Sequence, residues 1–131
     1  MRPGALLLWV PIAAYMVVIF GLSSVSSVPP LPGGMSDKEA HSLLYSGLGA
    51  LVVRALARGG WVGVRPFALA GAVAVAVLYG LTDEFHQLYV PGREFDLHDL
   101  AADGIGAGAA AAAIWAWSII RRFSGFRRGH A

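Results

Sequence analysis

The residues of this chain that could do chemistry recur at helical spacing. Asp37, His41 and Tyr45 stand at i, i+4 and i+8, which puts them on one helix face with Lys38 at its border. Tyr79, Asp83, His86 and Gln87 share a face in the same way, with Glu84 beside it. Asp96, Asp99 and Asp103 repeat at i, i+3 and i+7. Burial can tune imidazoles and carboxyls for proton transfer, so His41, Glu84 and Asp103 are the catalytic candidates. Lys38 and Arg93 could meet a phosphate or carboxylate, arginine bidentately. The binding candidates are Lys38, His41, Tyr45, Asp83, Glu84, Gln87, Arg93, Asp99 and Asp103. His41, Asp83, Glu84, His86, Asp99 and Asp103 are of the types that bind Zn²⁺ or other divalent ions. No close motif such as H-E-x-x-H accompanies them, so a divalent metal is compatible and no cofactor is predicted. There is no nucleophile motif, and with no cysteine in the chain thiolate chemistry and disulfides are excluded.

Four apolar segments must position these residues. The chain has 131 residues, of which 56% are hydrophobic and 14% charged. A soluble domain is nearer ~45–50% and ~25%. Residues 5–22, 67–82 and 104–120 carry no charge, and 40–53 hold one ionisable residue, His41. A spanning helix needs ~20 mostly apolar residues. The reading is an all-α bundle of four transmembrane helices near 4–23, 37–58, 66–89 and 98–121, with a basic tail over 122–131, forming one membrane domain over 1–131. A barrel is excluded because the runs are long and rich in Ala, Leu and Gly, without its alternation. Ser and Pro-Gly stretches break the helices after Ser23 and at Pro91-Gly92. Ser36 or Asp37 can cap the second segment, Pro66 suits the start of the third, and Asp96 or Asp99 starts the fourth. Arg2, the apolar core and Ser24-x-Ser26 loosely resemble a signal peptide. That core exceeds the ~7–15 residues of such a segment, so it reads as a retained helix.

Charge is sorted by helix end. One side carries Arg2, Arg54, Arg58, Arg65, Arg121, Arg122, Arg127 and Arg128, and the other carries Lys38, Arg93 and every acidic residue. The positive-inside rule then predicts a multi-pass protein of the cell membrane with both termini cytoplasmic. Trp9, Trp61, Trp115 and Trp117 fall toward the same end, as an aromatic belt would. At ~1.5 Å per residue His41 lies roughly 6 Å below Asp37, Asp83 roughly 7 Å below Leu88, and Asp103 roughly 6 Å below Asp99. Three helices thus bring His41, Asp83 and Asp103 to one level under the extracytoplasmic surface, floored by Tyr45 and Tyr79. This predicts a polar pocket open to that side. Capping and headgroup contact explain Asp37, Glu39, Glu94 and Asp96. They explain Asp83, Glu84 and Asp103 poorly, because these lie within or against apolar runs. His98 reads as a surface residue, His130 as idle and Tyr15 as packing. Gly104-x-x-x-Gly108 and the alanines after it read as a helix-packing face, a route to homo-oligomers, rather than a phosphate loop. The basic tail fits an anionic inner leaflet, and membrane lipids rather than nucleic acid are the expected partners.

The chain resembles the VanZ-like family of small membrane proteins. The likeness rests on Asp37-Lys38-x-x-His41-x-x-x-Tyr45 and Thr82-Asp83-Glu84-x-x-Gln87. It continues through Pro91-Gly92-Arg93-x-Phe95-Asp96 and Asp99-Leu100-x-x-Asp103-x-x-Gly106. The resemblance covers 37 to about 110 in order and spacing, and the first segment matches only as an apolar helix. It points to Lys38, His41, Tyr45, Glu84, Gln87, Arg93, Asp99 and Asp103. At Asp103 the family often has Asn, so the acid adds a charge to a position the resemblance gives as an amide. The resemblance implies a cell-envelope role, with teicoplanin and glycopeptide antibiotic resistance as the family's context, and no particular reaction.

Three functions compete on these residues. The protein could bind or modify a lipid-linked cell-wall precursor or another anionic ligand. It could bind or transport a metal ion, although almost no polar groups line the other halves of the helices. It could be a structural or interaction protein whose polar layer locks the bundle.

Overall fold

A computed structural model describes residues 4–26, 30 and 32–128. Arg2, His130 and part of the Ser/Pro linker lie outside them. The described chain forms four α-helices and no strand: α1 (Ala5–Ser23), α2 (Asp37–Leu56), α3 (Pro66–Gln87) and α4 (Leu97–Arg128), with a 3-10 turn at Pro32–Gly34. Local chemistry sets each boundary. The Ser36 hydroxyl accepts from the Glu39 N–H while the Glu39 carboxylate accepts from the Ser36 N–H, a capping box that starts α2. At its other end the Gly59 N–H reaches the Arg54 carbonyl and the Arg58 N–H the Ala55 carbonyl, with Arg58 left-handed at φ 53°. These are the two bonds of a Schellman motif. Pro66 opens α3. The turn after it places Pro91 before Gly92 at φ 79°, closed by Arg93 N–H to Val90 carbonyl, as a type II turn requires. Asp96 caps α4 by accepting the His98 N–H at 2.8 Å. That helix continues past the expected end near 121 to Arg128. The charged residues mark where an apolar span stops. They are good helix formers and do not stop the helix itself.

The helices alternate in direction, and α2 is central. It packs on α1, α3 and α4, whereas α1 does not touch α4. Leu6–Ser23, Pro66–Gln87 and Leu97–Ser124 are long and apolar enough to cross a membrane. α2 is less apolar, because Asp37, Lys38 and Glu39 occupy its first turn. Close packing comes from small residues: Ala68, Ala72 and Ala76 of α3 and Ala107 and Ala111 of α4 are buried with Leu48, Val52 and Val53 of α2. Gly106 lies against the Ser42 backbone, and Gly49 against Ala107. Gly104 and Gly108 face Val77 and Val73 of α3. Gly106 is thus buried within the bundle, while Gly104 and Gly108 stay half-buried beside α3. The outer face of α4 carries Ile105, Trp117 and Ile120 instead.

Candidate functional site

At the end of the bundle where α1 and α3 finish and α2 and α4 begin, the expected polar layer assembles. His41, Asp83, Glu84, Gln87, Asp99 and Asp103 are all buried, although each is costly to place inside an apolar bundle. The His41 Nδ1 lies 2.9 Å from Asp103 Oδ1, tying α2 to α4. With the carboxylate accepting the Nδ1 proton, Nε2 turns toward Asp99, whose Oδ2 is 3.9 Å away, beyond hydrogen-bond range. Gly80 makes room for this pair: a Cβ there would strike Asp103 Oδ2. The Tyr45 ring lies parallel to the His41 ring, their centroids 6.2 Å apart, and Tyr79 tilts beside Tyr45 at 6.3 Å. Of the two rings expected to floor the pocket, Tyr45 lines the cavity described below and Tyr79 stands beside it. The Tyr79 hydroxyl donates to the Met16 carbonyl and that of Tyr15 to the Leu44 carbonyl, so both tyrosines also fasten α1.

A cavity of about 180 Å³ lies between α1, α2 and α3 on the near side of His41. Ile19, Leu22 and Leu44 give it an apolar wall, while Asp37, His41, Asp83, Gln87 and Arg93 give it polar groups. Of the expected binding residues, His41, Tyr45, Asp83, Gln87 and Arg93 line it; Lys38, Glu84, Asp99 and Asp103 do not. Glu84 is fully buried, and its Oε2 accepts the Asp96 N–H at 2.7 Å, which moors the loop before α4. Asp99 and Asp103 stand behind His41. His86, placed by spacing among the metal-ligand types, faces α1 instead: its Nε2 is 3.0 Å from Ser24 Oγ and its ring packs on Phe20. His98 is on the surface beside Asp96.

Both cations of this end already have acidic partners. The Lys38 Nζ is 3.1 Å from Asp96 Oδ2, a hydrogen bond, and 3.4 Å from Asp99 Oδ1, a charge contact only. The Arg93 Nη2 is 3.7 Å from Asp37 Oδ2, a looser pair. Bonding from the His98 backbone N–H, with help from the Lys38 and His98 side chains, holds the Asp96 carboxyl down at about 2. Several buried polar atoms have no hydrogen-bond partner: Ser23 Oγ, Tyr45 Oη, Asp83 Oδ1, Glu84 Oε1, Gln87 Nε2 and Asp103 Oδ2. Such atoms are normally satisfied. Four of them (Ser23, Tyr45, Asp83 and Gln87) belong to residues that line the cavity.

Two residues join the site beyond those expected there. Asp37, read as a helix-start residue, also lines the cavity, pairs with Arg93 and completes a cluster with His41 and Asp99 whose ligand atoms lie within 4.8 Å of one another. Its place four residues before His41 was the available signal. Ser23 offered none beyond being the first polar residue after an apolar run.

No curated protein and no solved structure matches the chain. A profile of the VanZ/LLP1 family matches residues 5–121, through all four helices. With three helices of membrane-crossing length and that match over most of its length, the chain is a membrane protein that belongs to the VanZ/LLP1 family.

Proposed function

We propose that this protein acts in the cell envelope by receiving the headgroup of a lipid-linked or anionic amphiphile in the cavity beside His41. The observation that carries the reading is the cavity's mixed lining: apolar Ile19, Leu22 and Leu44 together with buried, unpartnered Asp83 Oδ1 and Gln87 Nε2. At about 180 Å³ it is smaller than the ~300–1,000 Å³ typical of sites for whole drug-sized ligands, so it suits a headgroup whose tail stays among lipid chains. Asp83 can accept from a hydroxyl or amine, alongside the Ser23 hydroxyl that also lines the cavity. Gln87 and Arg93 offer donors to an anionic oxygen, and the loose Arg93–Asp37 pair is the one a phosphate or carboxylate would displace. His41, oriented by Asp103, is the group placed to exchange a proton with what binds. Polyprenyl-linked wall precursors combine these features. The orientation in this reading is multi-pass, with the arginine-bearing end and both termini cytoplasmic.

Mass spectrometry of the full chain in mild detergent tests this. Wild type should retain a lipid that Arg93→Ala and Asp83→Asn lose while staying folded. The same lipids on all three would refute the reading. Tolerance of the glycopeptide teicoplanin is the phenotype to compare in parallel.

One observation favours a second reading, a divalent cation on Asp37, His41 and Asp99. The Asp103–His41 bond leaves Nε2 on the side of Asp99, the carboxylate–histidine arrangement common behind metal ligands. Calorimetric titration with Zn²⁺ decides it. Binding lost in His41→Ala supports the reading, and no heat in wild type ends it.

A further inference from the structure

We infer that the opposite, arginine-bearing end holds a second site, for the phosphate of an anionic phospholipid, at the turn between α2 and α3. The site is independent of the headgroup reading above. A cavity of about 420 Å³ lies there, with Arg58 and Arg65 on its lining and Leu56, Val62 and Phe67 as its apolar part. The two guanidiniums have no acid to pair with. Every acidic residue lies toward the other end, and among the described residues no ion pair includes Arg54, Arg58, Arg65, Arg121 or Arg122. Two guanidiniums beside one hollow match the oxygens of a phosphate diester, which arginine binds bidentately.

The rim says that this phosphate belongs to a lipid. Trp61, Val62 and Phe67 are each about half exposed around the arginines. Arg54 stacks over the Trp61 ring at 5.6 Å. Apolar and aromatic side chains beside cations at a helix end are the surface an interfacial headgroup and the start of its acyl chains would cover. A soluble phosphate has no use for them.

The backbone supplies an independent argument. Arg58 occupies the left-handed position of the Schellman motif at φ 53°, where glycine is the usual residue. Glycine would make the same turn without the steric penalty an L-residue meets there. An arginine held in that conformation, with no ion pair in return, is accounted for by what its side chain binds.

The experiment measures the preference of the full-length protein for phosphatidylglycerol over phosphatidylcholine of the same acyl chains, by native mass spectrometry. Wild type should prefer the anionic lipid. Arg58→Gly and Arg65→Gln should each lower that preference roughly fivefold. Arg121→Gln, a cation of the same end that does not line the cavity, should leave it nearly unchanged. Arg58→Gly should also raise the melting temperature in neutral detergent, since it relieves the turn, while Arg65→Gln tests the site without touching that turn. Arg93→Ala, at the far end, should not move the preference. Equal losses in Arg121→Gln and Arg65→Gln would overturn the site in favour of diffuse charge. Unchanged preference in both cavity variants would overturn it outright. Competition by soluble glycerol phosphate as strong as by lipid would overturn the lipid assignment.

Discussion

Replacing Gly106 by alanine tests the packing that builds the polar site. A Cβ at Gly106 would collide with the backbone carbonyl of Ser42, with the Ser42 Cα only 2.9 Å away. Backbone cannot rotate aside as a side chain can, so α4 must retreat from α2. Overpacking costs about 1–3 kcal/mol, and this contact belongs at the upper limit. The gain in helix propensity from Gly to Ala returns about 1 kcal/mol. The net expectation is a loss near 2 kcal/mol, a fall in melting temperature of roughly 5–10 °C for a chain of this size. Two glycines on the same helix serve as controls. At Gly108 a Cβ would meet Val73 Cγ2 at 3.4 Å, an ordinary contact, so Gly108→Ala should be neutral or stabilising by up to ~1 kcal/mol. At Gly104 the nearest atom is Val77 Cγ2 at 3.1 Å, a side chain able to shift, and the effect should fall between the two. Differential scanning fluorimetry in one detergent gives the three values. Because Ser42 neighbours His41, the Gly106 variant should also loosen the 2.9 Å His41–Asp103 bond and weaken any ligand that the cavity holds. A Gly106→Ala protein as stable as wild type, or a Gly108→Ala protein that is worse, would refute the reasoning.

Further outcomes follow from single contacts. Glu84→Ala should destabilise by about 1–3 kcal/mol, because the Asp96 N–H loses its buried acceptor. Glu84→Gln, which keeps an acceptor, should lose much less, and hydrogen exchange at the start of α4 reads both. Asp103→Asn retains an oxygen for His41 and should fold within about 1 kcal/mol of wild type, whereas Asp103→Leu leaves the imidazole unpartnered and should lose about 1–3 kcal/mol in chemical denaturation. Asp96 is held at about 2, below the ordinary ~3.9, so its contribution is present above pH ~4 and lost as pH falls through 2. Asp96→Asn should lack that portion of the acid-unfolding profile. The chain contains no cysteine, so Glu94→Cys and Gly60→Cys report topology directly. A membrane-impermeant maleimide should label the first and not the second in intact cells, and the reverse would overturn the orientation.

Much of the bundle is legible in the residue order. Capping residues, Pro66 and Pro91-Gly92 act locally, so they mark helix starts and ends without knowledge of the fold. The level of His41, Asp83 and Asp103 is equally legible, since rise per residue needs no partner. Which neighbour each group meets is another matter. Successive helix residues point ~100° apart, so Asp83 faces the cavity while Glu84 turns to the Asp96 N–H, and His86 is delivered to α1. The ion pairs of Lys38 with Asp96 and of Arg93 with Asp37 join different elements, so spacing along one helix does not reveal them. The glycines of α4 likewise announce a close contact without saying whether its partner is α2, α3 or a second copy.

The central place of α2 bears on how the protein is made. Its first turn and its cavity face carry Asp37, Lys38, Glu39, His41 and Tyr45, and a charged side chain opposes membrane insertion by ~2.5–3.5 kcal/mol at a helix centre, less near an end. Without α4 its His41 would have no partner, because Asp103 belongs to that later helix. Its place in the bundle thus becomes secure only when α4 arrives. A chain stopped before α4 leaves that imidazole unpartnered and Gly49 and Gly80 bare. Biogenesis of this protein is expected to depend on α4 more than the modest sequence between Gly104 and Ile120 suggests.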